Sequence, residues 1–164
     1  MEKVWAQRAG IGWMGKHTNI LNEEAGSFFF LCEIFINVKL ECNLPAIDLC
    51  GSCTLCMQAC PTGAIENEYK LNPNLCISYQ TIENKGEIPA YIDLSGWIYG
   101  CDICQDICPY NRKKFFTSDK SFYPKEKYFN KDKSVYESVN EEEFRTFPIK
   151  RLKYQRWKRN LKMI

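Results

Sequence analysis

The chain has 164 residues, 45% of them apolar and 26% charged, with a formal net charge of +2. That balance excludes an intrinsically disordered segment, and the most apolar run, Phe28 to Ile36, is broken by Glu33 and is far too short to span a bilayer. Ten cysteines with no secretory signal before them argue for a reducing compartment, so a soluble, cytoplasmic, monomeric protein without membrane contact is expected.

Met1 to Gly10 reads as the end of a helix, with Val4 and Trp5 as its apolar positions and Gly10 as its C-cap. No N-cap signal precedes it, which gives the expectation that the chain is the later part of a longer protein. Gly10, Gly12 and Gly15 follow within Arg8 to Asn19. They fit G-x-G-x-x-G only loosely, and no strand pattern precedes them, which argues against a dinucleotide fingerprint. The segment is either a tight turn or a loop that lies against a bulky cofactor. Residues 19–21 and 27–40 read as strands separated by a turn at Gly26, closing a sheet begun upstream. Residues 46–112 form a cysteine-rich section, Tyr110 to Lys133 reads as irregular chain, and helices are expected over 140–147 and 150–162. The expected division is thus 1–45, 46–112 and 113–164, in an α+β fold.

The cysteine section carries the chemistry. Cys50, Cys53, Cys56 and Cys60-Pro61 have the C-x2-C-x2-C-x3-C-P spacing of a bacterial iron–sulfur ferredoxin. Cys101, Cys104 and Cys108-Pro109 form a second group, with Cys76 alone between the two. A tight loop with a thiolate every third residue wraps three corners of a cubane, and the fourth corner needs a distant ligand. In two-cluster ferredoxins the cysteine before proline crosses to the other cluster. This predicts Cys50, Cys53, Cys56 and Cys108 on one [4Fe–4S] cluster and Cys60, Cys76, Cys101 and Cys104 on the other. Disulfides suit neither the spacing nor the compartment, a structural zinc site has no use for the third cysteine and C-P, and a C-x-x-C redox pair leaves six thiols idle. Cys32 and Cys42 lie outside both groups and are expected to be buried apolar residues.

The net charge itself argues nothing about nucleic acid, because two clusters would turn it to about −2. Its distribution does: from Arg145 to Ile164 there are eight basic residues and no acidic one, directly after Glu141, Glu142 and Glu143. Such a block is either a solvated helix face or an electrostatic footprint for a polyanion.

Four stretches resemble one family closely: Arg8-Ala-Gly-Ile-Gly-Trp-Met-Gly-Lys-His-Thr, Gly26-Ser-Phe-Phe-Phe-Leu with Glu33-Ile, Cys76-Ile-Ser-Tyr-Gln-Thr-Ile-Glu, and Tyr99-Gly-Cys-Asp-Ile-Cys-Gln-Asp-Ile-Cys-Pro-Tyr-Asn. With the first cysteine group and the closing Phe144 to Asn160, these are similar in order and spacing to epoxyqueuosine reductases. The resemblance implies a cobalamin- and iron–sulfur-dependent oxidoreductase that reduces epoxyqueuosine in a tRNA to queuosine. Its two clusters would relay electrons from a donor such as flavodoxin, or ferredoxin with its reductase. The implied fold is a two-cluster ferredoxin-like domain after the tail end of a cobalamin-binding α/β domain, followed by a short basic helical region.

By the same resemblance, Lys3, Gly10, Gly12, Trp13, Gly15, Lys16, His17 and Ser78 would face the corrin, with Asp102 beside the nearer cluster. Thr81, Glu83, Lys85, Arg145, Arg151, Lys153, Arg156 and Arg159 would face tRNA. The family's catalytic aspartate would lie upstream of Met1, so this chain alone is expected to be inactive. His17 is read as a loop hydrogen-bonding residue in preference to a cobalt ligand, and Trp13 as either a core plug or a cofactor lid. Two rival readings are a stand-alone two-cluster electron carrier, which has no use for Gly12 to Lys16 or the basic tail, and a relative of reductive dehalogenases, against which the tail and the missing export signal argue.

Overall fold

The computed structural model describes residues 2–112 and 116–164. In chain order it contains α1 (Glu2–Arg8), β1 (Trp13–Met14), β2 (Ile20–Leu21), α2 (Leu55–Ala59), β3 (Ile65–Asn67), β4 (Lys70–Leu71), α3 (Ile77–Ile82), α4 (Ile103–Asp106), α5 (Lys133–Glu137), α6 (Glu141–Phe144) and α7 (Tyr154–Met163). Short 3-10 turns lie at Pro109–Asn111, Lys120–Phe122 and Lys150–Leu152. The described residues pack as two units that interleave along the chain: 2–72 with 102–112, and 73–101 with 116–164. The 46–112 section contributes to both. No helix among the described residues is long and apolar enough to cross a membrane.

In the first unit, α1 ends where Gly10 takes φ +73°, a conformation open to glycine, and the Ile11 N–H folds back on the Ala6 carbonyl. The chain then makes a two-stranded hairpin in which Trp13 pairs with Leu21 and Met14 with Ile20. Gly12 makes this possible, because a Cβ there would lie 2.1 Å from the Leu21 carbonyl oxygen. Further on, Asn111 grips Ser27. Its Oδ1 accepts the Ser27 N–H at 2.7 Å while its Nδ2 donates to Ser27 Oγ and to the Gln105 carbonyl, both at 2.8 Å. Gly26, at φ +68°, leaves the space that the Asn111 amide fills.

The structure corrects the expected strand over 27–40. These residues carry no strand, and Ile34, Phe35 and Leu40 are exposed. A strand is stable only against a neighbouring ladder, and no described segment offers one to this run. The residues that follow are tied back to α1, through Asn43 Nδ2 to the Ala9 carbonyl and the Ala46 N–H to the Gln7 carbonyl. Cys32 and Cys42, expected to be buried, are exposed on this stretch for the same reason.

The second unit is organised by aromatic packing. Val139, Phe144, Phe147, Leu152, Trp157 and Leu161 form its core, with Tyr128, Tyr136 and Tyr154 against them. The expected helices over 140–147 and 150–162 are observed in shorter form, as α6 and α7 around the turn at Lys150–Leu152. Asn140 caps α6 by accepting the Glu143 N–H at 2.9 Å, and the three glutamates of the first turn complement the helix dipole. A second apolar group, Ile77, Ile88, Ile92 and Leu94, packs under Trp97 and Cys101.

Candidate metal centre

No disulfide joins any of the ten cysteines. The first cysteine loop is shaped by short-range bonds: Asp48 Oδ1 accepts the Cys50 N–H at 2.7 Å, Gly51 takes φ +52°, and the Cys53 N–H returns to the Cys50 carbonyl at 3.1 Å. Helix α2 then carries Cys56 inward, and Cys108 comes in from the end of α4, its N–H on the Gln105 carbonyl. Cys50, Cys53, Cys56 and Cys108 line one pocket, shared with Lys16, His17, Leu21, Leu55, Pro109 and Tyr110. These are the four thiols that the crossed pattern assigns to one cluster.

Three residues of the hairpin that starts at Trp13, namely Lys16, His17 and Leu21, line this pocket, and Trp13 itself bonds one of its thiols. The Trp13 indole is 2% exposed, stands edge-on to Tyr110 with centroids 4.8 Å apart, and donates its Nε1–H to Cys50 Sγ at 3.4 Å. It is a core plug. Lys16 is 3% exposed, with Nζ on the Gly51 carbonyl at 2.6 Å and on Glu68 at 2.7 Å. The bond it donates to the Glu68 carboxylate raises its pKa and keeps it charged. His17 accepts the Asn19 N–H on Nδ1 at 3.1 Å, and burial pushes its pKa down to about 4, so the ring is neutral.

The electrostatics of the pocket test whether an iron–sulfur core fits it. Burial pushes the Cys56 thiol up, and the neighbouring Cys108 adds to this. Burial does the same to Cys108, with Cys50 and Cys53 adding. Cys56 and Cys108 thus resist ionisation beside the other two thiols, and a cationic iron core is the counter-charge that relieves this. Among the described residues no three His, Cys, Asp or Glu side chains converge on one point as the ligands of a single ion would.

Of the second predicted set, Cys60 and Cys104 lie in the first unit and Cys76 and Cys101 in the second. Burial alone would raise the Cys60 thiol, but hydrogen bonds from Thr62 and from the backbone N–H groups of Ile65, Thr62 and Ala64 outweigh it and hold the pKa low. Such a cradle suits a thiolate ligand. Cys76 immediately precedes α3, Cys101 packs on the Ile77 cluster, and Cys104 sits in α4.

The residues expected around a corrin are placed largely on other parts of this chain. Gly10 lies against the Leu44 carbonyl, Gly12 against Leu21, and Gly15 against Leu21 and His17. Lys3 is half-buried, with Nζ on the Thr18 carbonyl at 2.7 Å and on Asn19 Oδ1 at 3.2 Å. Burial lowers its pKa while the nearby Cys104 opposes the shift. Ser78 stands in the first turn of α3. Asp102 occupies the position just before α4 and accepts from Gln105 Nε2 at 2.7 Å, and burial raises its pKa.

The residues expected to face tRNA divide into two sets. Thr81 is fully buried, its Oγ1 donating to the Ile77 carbonyl and accepting the Gly100 N–H. Glu83 pairs with Arg151 at 2.6 Å. Arg156 donates to the Ile82 carbonyl at 2.6 Å, and Arg159 to the carbonyls of Gln80, Asn84 and Gly86. Arg145 pairs with Glu141 one turn away. Lys85 and Lys153 are exposed.

Two positioning residues escaped the sequence reading. Asn111 ends the Cys-Pro-Tyr-Asn run and clamps Ser27 within the first unit. Asn160 is fully buried in the second, donating to the Thr81 and Ile98 carbonyls at 2.9 and 2.8 Å. Both sit inside the stretches that carry the family resemblance, and that was the available signal.

Residues 49–111 match the family described as a 4Fe-4S double cluster binding domain. That section is therefore similar to a domain that binds two iron–sulfur clusters. Over nearly its whole length the chain is also similar to epoxyqueuosine reductases. It is 39% identical to that of Cellulophaga algicola over 98% of this chain and 55% of the relative, and 41% identical to that of Escherichia coli K12 over 98% and 44%. A crystal structure of an epoxyqueuosine reductase with an epoxyqueuosine-modified tRNA-Tyr stem loop superposes with a TM-score of 0.91 at 33% identity, over 99% of this chain and 45% of that one. The chain is thus similar to epoxyqueuosine reductases and spans about half the length of the relatives it matches.

Proposed function

We propose that this chain is the iron–sulfur part of an epoxyqueuosine reductase. Cys50, Cys53, Cys56 and Cys108 would hold one [4Fe–4S] cluster, and Cys60, Cys76, Cys101 and Cys104 the other. The observation that carries the reading is the pocket in which the first four thiols meet beside Trp13, Lys16 and His17. Bound there, the clusters supply one-electron transfer, which no side chain of this chain can perform. The residues around the pocket hold and screen them: Trp13 and Tyr110 exclude water, the Lys16 ammonium opposes the negative charge of the thiolates, and the Cys50 sulfur accepts the indole N–H.

In the complete enzyme the electrons would pass to cobalamin, and the substrate would be epoxyqueuosine in tRNA, in the cytoplasm. A flavodoxin, or a ferredoxin with its reductase, would be the electron source. Support for the substrate comes from the relative crystallised with a modified tRNA stem loop. Gly12, Trp13, Gly15 and Lys16 are engaged in packing and bonds within this chain, and their role is to shape the first cluster pocket.

Iron and sulfide analysis of the anaerobically reconstituted chain, with EPR after reduction, tests the proposal. About eight irons per chain and two interacting cubane signals are expected, whereas a single bound zinc with no paramagnetic signal refutes it. Added cobalamin and tRNA separate the reductase from a plain carrier, which would bind neither.

A further inference from the structure

Two buried side-chain polar atoms have no hydrogen-bond partner among the described residues: Trp157 Nε1 and His17 Nε2. The first sits among the rings of Phe144, Phe147 and Tyr136, with centroids 5.7 to 6.3 Å away, and π faces are weak acceptors for an N–H. His17 has no ring contact of that kind. It is 3% exposed and lines the pocket of Cys50, Cys53, Cys56 and Cys108.

Its tautomer follows from its other nitrogen. The Asn19 N–H points at Nδ1, so Nδ1 carries no proton, and a neutral ring then bears its proton on Nε2. The loop is built to keep the ring in this place. Thr18 takes φ +68°, the Gly15 N–H bonds the Asn19 carbonyl and the Thr18 N–H the Gly15 carbonyl, both at 2.8 Å. A Cβ on Gly15 would lie 3.1 Å from His17 Cε1. The result is an oriented, dry N–H donor beside four sulfur ligands and lacking an acceptor. Buried donors are rarely left so unless something outside the protein accepts from them.

We propose that His17 Nε2–H donates a hydrogen bond to a sulfur of the cluster held by Cys50, Cys53, Cys56 and Cys108, and with Trp13 Nε1–H on Cys50 raises that cluster's reduction potential. The proposal rests on the iron–sulfur reading above. Reduction adds negative charge to the cluster sulfurs, so N–H donors aimed at them stabilise the reduced form more than the oxidised one. His17 is a positioning and tuning residue, and it ligates neither iron nor cobalt.

The chain contains a single histidine, so 15N-histidine labelling reports on this ring alone. In the reconstituted, reduced chain, pulsed EPR should show a weak 15N coupling to one of the two clusters. No coupling, or the strong coupling of a directly ligated nitrogen, overturns the proposal. His17→Asn keeps an acceptor for the Asn19 N–H while removing the ε donor, and His17→Gln restores a donor near the ε position. A potentiometric titration should shift one cluster about tenfold towards its oxidised form in His17→Asn, or 59 mV for one electron. His17→Gln should recover most of the shift. Equal potentials in wild type and a fully iron-loaded His17→Asn also overturn it. A wild-type chain that takes up no iron overturns the iron–sulfur reading itself, and iron analysis shows this before any titration begins.

Discussion

Replacing Arg159 with alanine separates two roles for the basic helix α7, holding RNA and holding its own unit together. The guanidinium donates to the carbonyls of Gln80 and Asn84 at 2.9 Å and also to Gly86, closing the C-terminal end of α3 and the turn after it. Gln80 is 3% exposed, while Gly86 is at the surface. A hydrogen bond to a charged donor contributes about 1.5–3 kcal/mol. The Gln80 carbonyl loses that in full, whereas the outer two regain water and lose a fraction. The variant should therefore destabilise the second unit by about 2–4 kcal/mol, on the order of 10–25 °C for a unit of this size. Arg159→Lys should rescue little, because one ammonium cannot span three carbonyls.

Amide exchange on peptides covering α3 and α7, followed through a urea titration, measures the loss directly. Fluorescence anisotropy with a tRNA anticodon stem loop, repeated across salt concentrations, measures the alternative. If Arg159→Ala leaves exchange unchanged while the salt slope of RNA binding falls by about one contact, the guanidinium reaches phosphate in solution and the staple reasoning is wrong.

The remaining expectations follow from the same geometry. Gly12→Ala places a methyl 2.1 Å from the Leu21 carbonyl oxygen with backbone on both sides. The hairpin must open at a cost of about 3 kcal/mol or more, and iron retention should fall with the melting temperature; full iron content with unchanged melting would contradict this. Cys108→Ser should remove about half the iron and one of the two EPR signals, whereas loss of both signals would mean that the clusters do not assemble independently. Lys150→Ala and Lys153→Ala remove exposed cations. Each should reduce the RNA salt slope by about 0.7–0.9 with no change in unfolding, and a destabilised variant would place these lysines among the staples.

The cysteine pattern was legible because thiol spacing is a local property: a loop that must wrap a cube needs its ligands at fixed short intervals, whatever surrounds it. The aromatic closing region was legible in outline for a similar reason, since Phe144, Phe147, Tyr154, Trp157 and Leu161 recur at helical spacing. Residues 27–40 were not. Phe28 to Leu31 has strand composition, yet pairing depends on a neighbour that composition does not name, and the described residues supply none. The fate of Cys32 and Cys42 followed from that of the segment carrying them. The basic tail was legible only as a block of charge. Counting charges shows how many cations there are and nothing of where each one ends, and Arg156 and Arg159 end on carbonyls of α3 and the turn after it.

From sequence the motif Gly12-Trp13-Met14-Gly15-Lys16-His17 was either a tight turn or a loop against a bulky cofactor, because close backbone approach is what clustered glycines permit. In the structure the approach is real, and what fills the space is the chain itself. Gly12 admits the Leu21 backbone and Gly15 admits the Leu21 and His17 side chains. The side chains between them deliver an indole N–H to Cys50 and an ammonium to Gly51. Each residue of the motif thereby acts on the first cysteine loop or on the hairpin that reaches it, Met14 through its pairing with Ile20. A substitution at these positions that weakens catalysis in the complete enzyme should accordingly show first as a change in cluster content or potential. If such a variant kept both and lost only cobalamin binding, the motif would serve the corrin after all, and its contacts to the cysteine loop would be secondary.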